Sequence, residues 1–125
     1  MIPSSKEASL IVTEIDRFLQ QVQAAIESGN KQILDRRYKY ISTLAQLGIT
    51  NEDVWDDIYN LSSKDIWIKD NDDNSQFPGI VWITKKVLHG ELIYIKLKIK
   101  NSPQGQLLVM SYHIDEYNQR TKRLN

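Results

Sequence analysis

Residues 78–113 read PGIVWITKKVLHGELIYIKLKIKNSPQGQLLVMSYH, and this stretch decides the fold. Within Glu91–Lys100 apolar residues alternate with polar ones, a period of two that is typical of a half-buried β-strand. A second β-rich run, Ile80–Leu88, precedes it. His89-Gly90 lies between the two runs and fits a two-residue hairpin turn, because glycine adopts the positive φ that tight turns require. The stretch therefore predicts an antiparallel hairpin.

The pairing of this hairpin follows by counting outward from its turn. The predicted pairs are Thr84–Ile95 and Trp82–Leu97 on the core face, and Lys85–Tyr94 and Ile83–Lys96 on the opposite face. Directly opposed side chains have Cβ atoms about 5 Å apart. We therefore expect the face opposite the core to carry one cationic patch around a phenol, formed by Lys85, Tyr94, Lys96 and Lys98.

A third run, residues 107–113, can return along the sheet after a loop at residues 101–106. Alternation within this run places Val109, Ser111 and His113 on one face and Leu108, Met110 and Tyr112 on the other. We expect the first of these faces to be the cationic one, so that His113 joins Tyr94 and Lys96.

The N-terminal half shows helical spacing instead. A first helix is predicted from about residue 5 to Gly29, with a core stripe at Ile11, Ile15, Phe18 and Val22. A second runs from about residue 35 to Gly48, with a buried stripe of Tyr38, Ile41, Leu44 and Leu47. A third follows the N-cap Thr50, buries Val54, Trp55, Ile58 and Leu61, and exposes Asp56 and Asp57. The chain is thus predicted to have a helical half followed by a sheet-forming half.

The segment between the helices and the hairpin contains a short predicted edge strand at residues 66–69 and a polar loop at residues 70–75. Asp70, Asp72 and Asn74 have the alternating spacing of calcium ligands. A calcium loop needs glycine at its sixth position and glutamate at its twelfth, where this chain has Ser75 and Val81. We interpret the segment as a polar loop.

Length and composition indicate a single domain over residues 1–125, with a helical part at about 5–61, a sheet part at about 66–113 and a tail at 114–125. There is no cysteine, and two histidines are a poor basis for a zinc site, so we expect neither a metal nor a cofactor. No apolar run approaches the roughly 20 residues that span a bilayer, and the N-terminus has no secretory signal pattern. These features predict a cytoplasmic protein that does not bind membranes.

Charge is distributed unevenly along a chain whose net charge is zero. Residues 1–78 carry 8 Lys and Arg against 13 Asp and Glu, whereas residues 79–125 carry 8 against 3. A basic sheet half suggests a site for an anion such as a phosphate or a nucleic acid. The alternative is that these lysines only keep a strand face solvated and discourage aggregation.

Several segments, taken in their order along the chain, carry a resemblance to a known family. They are Arg36-Arg37, residues 43–50, Val54, Ile58, Leu61-Ser62, Asp65, Pro78-Gly79, Val81-Trp82, Lys86, Gly90, residues 93–99 and Ser111-Tyr112-His113. The chain resembles the MqsR-type toxins of bacterial type II toxin–antitoxin systems over about residues 18–116. The resemblance implies a RelE-like α+β fold, with the N-terminal helices packed on one face of a small antiparallel sheet. It also implies a messenger-RNA endoribonuclease activity and a cognate antitoxin as partner.

The same resemblance implies site residues. The family's catalytic tyrosine matches Tyr94, the lysine two residues later matches Lys96, and the family's terminal cation matches His113, where the best-known member has a lysine. A further family lysine matches Lys69 when one residue is inserted. The polar residue after the family's tryptophan falls near Ile83, so Lys85 or Lys86 would have to compensate, with Lys98 as an additional substrate-binding lysine.

Metal-independent cleavage of RNA needs a base for the ribose 2′-hydroxyl, cations for the phosphorane-like transition state and an acid for the leaving 5′-oxygen. Histidine is the side chain best suited to proton transfer near neutral pH, which makes His113 the leading candidate. The products would be a 2′,3′-cyclic phosphate and a 5′-hydroxyl. Two alternatives remain open: a non-catalytic module that binds nucleic acid or protein through the same face, and a structural protein whose patch serves solubility.

Overall fold

The computed structural model describes residues 5–34, 36–71, 80–100 and 105–116. Its three helices are α1 (Ser5–Ser28), α2 (Tyr38–Leu47) and α3 (Asn51–Tyr59). Its five strands are β1 (Lys31–Ile33), β2 (Trp67–Asn71), β3 (Ile80–Leu88), β4 (Glu91–Lys100) and β5 (Gln106–Ile114). The strands form one sheet in the order β1-β5-β4-β3-β2. The predicted α+β class is therefore confirmed.

The hairpin of β3 and β4 has the predicted register. Lys85 pairs with Tyr94 and Ile83 with Lys96, and the core-face pairs Thr84–Ile95 and Trp82–Leu97 are also present. Both turn residues have positive φ, 51° at His89 and 79° at Gly90, as a hairpin turn that matches the twist of its strands requires.

Strand β5 departs from simple alternation. It pairs antiparallel with β4, and the register shifts between the pair Lys96–Ser111 and the pair Leu97–Val109, which leaves Met110 as an extra residue in a β-bulge. Residues before the bulge point to the side opposite to the one that simple alternation, counted back from His113, predicts for them. Val109 therefore lies in the core opposite Leu97, and the prediction that it shares a face with His113 is wrong.

The sheet is mixed rather than purely antiparallel, because the short strand β1 pairs parallel with β5. Lys31, Gln32 and Ile33 lie opposite Leu107, Leu108 and Val109. This strand was not predicted, since three residues are too few to show a period of two. An edge strand was predicted at residues 66–69, and β2 pairs antiparallel with β3 there. The prediction that Asp70 and Asn71 belong to a loop is wrong, because both pair with β3, and residues 72–75 of the predicted loop lie outside the described residues.

One face of the sheet, which we call the inner face, packs against the helices. Ile93, Ile95 and Leu97 on β4 are fully buried there. They form one core cluster with buried residues of all three helices, among them Val22, Tyr40 and Ile58. The opposite face, which we call the outer face, carries the alternate residues of the same strands, because successive side chains point to opposite sides.

The ends of α2 and α3 follow local signals. Gly48 caps α2 in the left-handed conformation, with φ of 67°. At the start of α3, the Thr50 side chain accepts a hydrogen bond from the backbone N–H of Asp53, and the Asp53 carboxylate accepts one from the backbone N–H of Thr50. This capping box confirms Thr50 as the N-cap.

The buried sides of α2 and α3 differ in part from the predicted ones. Tyr38 and Ile41 are 83% and 61% exposed, whereas Tyr40 and Thr43 are buried. Burial of the Thr43 hydroxyl is tolerated because it accepts a hydrogen bond of 3.0 Å from the backbone N–H of Ile114. In α3, the Asp57 side chain is only 7% exposed, contrary to prediction, because it has two partners on the sheet.

Candidate functional site

The centre of the candidate site is a row of three outer-face residues that crosses three strands. Lys85 on β3 lies opposite Tyr94 on β4, and Tyr94 lies opposite His113 on β5. The rings of Tyr94 and His113 stack, with centroids 5.3 Å apart and an interplanar angle of 20°. The bulge at Met110 does not separate them, because His113 follows it. The expectation that His113 joins Tyr94 is confirmed.

The neighbouring row contains Lys96, the lysine that was predicted to be catalytic together with Tyr94 and His113. Ile83, Lys96 and Ser111 pair across the same three strands, one step along the sheet from the row of Tyr94. Lys96 is two residues from Tyr94 on one strand, so both side chains point to the outer face. An imidazole, a phenol, an ammonium group and a hydroxyl are thus within one or two strand spacings, about 5–10 Å.

The backbone carbonyl of Ile114 fixes which nitrogen of the His113 ring carries the hydrogen. The Nδ1 of His113 lies 3.0 Å from the carbonyl oxygen of Ile114. A carbonyl oxygen only accepts hydrogen bonds, so Nδ1 must carry the hydrogen. In the neutral ring this leaves the lone pair on Nε2, which is therefore the nitrogen that can act as a base.

Tyr94 is held in its neutral form. Partial burial raises the pKa of the phenol above its ordinary value. The Lys85 ammonium lowers this pKa, whereas the carboxylates of Asp70 and Asp115 raise it. The net effect is upward, so Tyr94 is a hydrogen-bond donor at neutral pH and not a phenolate.

Asp115 is a member of this site that the sequence analysis did not single out. Its carboxylate lies 3.0 Å from the Lys85 Nζ and its side chain is 10% exposed, while its backbone N–H donates to the carbonyl oxygen of Leu92. The signal that could have found it is the period of two, which places Asp115 on the same side as His113. Asp115 fixes the Lys85 ammonium and offsets part of the positive charge of the outer face.

Two of the predicted substrate-binding lysines lie on the inner face instead. Lys69 is opposite Trp82, and its Nζ contacts the Glu14 carboxylate at 2.9 Å. Lys86 is opposite Ile93, and its Nζ contacts the Asp57 carboxylate at 2.8 Å. Neither belongs with Tyr94, because odd and even positions of a strand point to opposite sides of the sheet.

Lys98 lies on the outer face, as predicted, but it is buried there, whereas a substrate-binding lysine was expected to be exposed. It lies two residues beyond Lys96 and opposite Leu108, and it is 3% exposed. A lysine that is buried to this extent cannot meet a phosphate in this conformation. Of the four lysines that were candidates for substrate binding, Lys85 alone lies beside Tyr94 with its side chain partly exposed, at 42%.

Within the residues that the structure describes, no group of three or more histidine and carboxylate side chains is placed to hold a metal ion. In the same part of the chain, no helix is long and apolar enough to cross a membrane. Comparisons of the chain with protein-family models, with characterised proteins and with solved structures found no match.

Proposed function

We propose that the chain is the toxin of a type II toxin–antitoxin system and cleaves messenger RNA as a metal-independent endoribonuclease with a RelE-like fold. The observation that carries this proposal is the row of Tyr94 and His113 on the outer face, with Lys96 beside it. The resemblance to MqsR-type toxins supports the choice of RNA as substrate and of a cognate antitoxin as partner. Cleavage would take place in the cytoplasm, where messenger RNA is found.

In the proposed reaction His113 takes the proton of the ribose 2′-hydroxyl on Nε2. The 2′-oxygen then attacks the adjacent phosphorus, and the bond from phosphorus to the 5′-oxygen breaks. Tyr94 donates a hydrogen bond, and finally its proton, to the leaving 5′-oxygen. The products are a 2′,3′-cyclic phosphate and a 5′-hydroxyl, and the two protons are exchanged between the side chains and the solvent after release.

The lysines have separate tasks in this reaction. Lys96 provides positive charge for the phosphoryl oxygens, whose negative charge increases in the transition state. Lys85 lowers the pKa of Tyr94 against the larger effect of burial, so its ammonium favours the phenolate that forms when Tyr94 gives up its proton. Asp115 keeps that ammonium in place.

The test uses purified protein, single-stranded RNA and excess EDTA. We expect cleavage in EDTA, with product ends that are 2′,3′-cyclic phosphates. His113→Asn should lower the cleavage rate by roughly a hundredfold or more, which is the typical contribution of a general base. Lys96→Ala should lower it by a similar factor, because electrostatic stabilisation of a transition state is usually a large contribution.

Two variants are matched controls. His89→Asn changes the other histidine of the chain, and asparagine tolerates the positive φ of this turn position. Lys64→Ala removes an exposed lysine in the turn before β2. Both should cleave RNA like the unchanged protein. If RNA is bound with an affinity that depends on Lys96 but is never cut, the ribonuclease proposal fails and the non-catalytic binding module takes its place.

A further inference from the structure

The outer face carries an apolar groove directly beside the row of Tyr94. The groove has a volume of about 330 Å³ and lies over β2, β3 and the start of β4. It is lined by Ile66, Ile68, Ile83, Thr84, Lys85 and Leu92. Ile66 and Ile68 are 80% and 55% exposed. Large aliphatic side chains that share an exposed face with an open groove often mark a binding site.

The register makes this groove continuous with the candidate catalytic residues. Ile83 lies opposite Lys96, and Lys85 lies opposite Tyr94. The two rows of the outer face therefore begin in the groove and end at Ser111 and His113. A ligand whose phosphate lies at Lys96 and His113 would have its neighbouring group over the groove, one strand spacing from Lys96 and two from His113, or about 5–10 Å away.

The chemistry of the lining indicates what that group is. Aliphatic side chains form most of the wall. The Thr84 side chain belongs to the inner face, and its hydroxyl hydrogen is already donated to the Ile66 carbonyl oxygen at 2.6 Å. The Lys85 ammonium stands at the end nearest Tyr94 and has donors left after its contact with Asp115. A planar group with an apolar surface and acceptor atoms at its edge fits such a wall, and a nucleobase is a group of this kind.

We propose that this groove binds an unpaired nucleobase of RNA, next to the phosphate held by Lys96 and His113. The inference rests on the proposed ribonuclease function for the position of that phosphate. A strand of a partner protein fits the observations less well. It would pair with the backbone of β2, which is the edge strand of the sheet formed by the described residues, whereas this groove crosses the sheet over the face of β3.

The experiment separates base binding from cleavage. The protein is labelled at isoleucine methyl groups, and NMR spectra are recorded with a short single-stranded RNA whose riboses carry 2′-O-methyl groups, so that it cannot be cut. The same backbone without bases is the comparison ligand. We expect the methyl signals of Ile68 and Ile83 to shift with the base-bearing RNA and to stay in place with the abasic one.

A pair of variants gives the matching affinity measurement. Ile68→Ala with Ile83→Ala should weaken binding of the base-bearing RNA by at least about fivefold, the lower end for contacts to one base, and leave abasic RNA binding unchanged. Val87→Ala is the control, because Val87 is 66% exposed on the same face of β3 but does not line the groove. The affinity of the Val87→Ala variant for both ligands should be that of the unchanged protein.

The outcomes of these experiments distinguish failure of the base site from failure of the proposed ribonuclease function. If the methyl signals respond to bases but RNA is never cut, the base site stands and the ribonuclease proposal falls. If RNA is cut but the methyl signals respond equally to both ligands, or to neither, the base site is overturned alone. In the case of no response, a protein ligand on the edge of β2 becomes the better explanation of the apolar surface.

Discussion

Replacing Asp57 by alanine tests the polar cluster that joins α3 to the inner face. The Asp57 carboxylate accepts one hydrogen bond from the Lys86 Nζ and one from the Tyr112 hydroxyl, each 2.8 Å long. Asp57 is 7% exposed and Lys86 is 28% exposed as side chains, and Tyr112 is fully buried. The variant therefore removes the acceptor of a partly desolvated ammonium and of a buried hydroxyl.

The expected magnitude follows from those two losses. Breaking a buried ion pair from one side costs about 3–5 kcal/mol, and the exposed part of Lys86 lets water reduce this to the lower end. An unsatisfied buried hydroxyl adds about 1 kcal/mol. We expect Asp57→Ala to lower the free energy of unfolding by about 3–5 kcal/mol, a large part of the roughly 5–15 kcal/mol that is typical of a domain.

Urea unfolding followed by tryptophan fluorescence measures this change, and Asp56→Ala is the matched control. Asp56 precedes Asp57 in α3 but is exposed, so its replacement should change the unfolding free energy by less than about 0.5 kcal/mol. Adding Lys86→Met to Asp57→Ala should recover roughly 1–3 kcal/mol relative to the sum of the single effects, because the unpaired cation is then gone. Equal stabilities of the Asp56→Ala and Asp57→Ala variants would refute the reasoning.

Three further predictions concern residues on or beside strand β5, namely Tyr112, Thr43 and Asp115. Burial, and then the charge and hydrogen bond of Asp57, raise the pKa of Tyr112 in the folded protein. Above about pH 10 the unfolded chain therefore loses the Tyr112 proton before the folded chain does, and the free energy of unfolding falls as the pH rises. Tyr112→Phe should remove up to roughly 1.4 kcal/mol per pH unit of that fall, as measured by urea titrations at alkaline pH. Thr43→Val takes away the acceptor of the Ile114 N–H and should cost about 1–3 kcal/mol, whereas Thr43→Ser should cost clearly less in the same assay. Asp115→Asn removes a negative charge beside Lys85 and should tighten RNA binding by roughly threefold to tenfold at low salt but little at high salt, as measured by fluorescence anisotropy. A gain in affinity over the unchanged protein that is the same at low and high salt would contradict this electrostatic explanation.

The hairpin of β3 and β4 was predictable because its information is local. Alternation fixes which side of each strand is buried, and the positive φ values of His89 and Gly90 fix the turn, so the register follows from counting. The Thr50 cap was predictable for the same reason, since all its partners lie within three residues.

The candidate site was predictable only in part. Tyr94, Lys96 and Lys85 are together because they belong to the hairpin. The position of His113 depended on the pairing of β5, where a single extra residue at Met110 reverses the alternation without changing the composition of the strand. His113 reached the expected face because the bulge precedes it, and Val109 did not because it lies before the bulge.

By itself, the sequence determined the order of the three helices and of strands β2 to β5, the register of one hairpin and the side of the sheet on which Tyr94 and Lys96 lie. The tertiary structure decided the parallel pairing of β1, the bulge in β5 and the burial of Asp57. The physical reason is distance along the chain. Periodicity and capping are set by residues a few positions apart, whereas a buried charge is tolerated only when partners from distant elements, here Lys86 and Tyr112, are brought to it by packing.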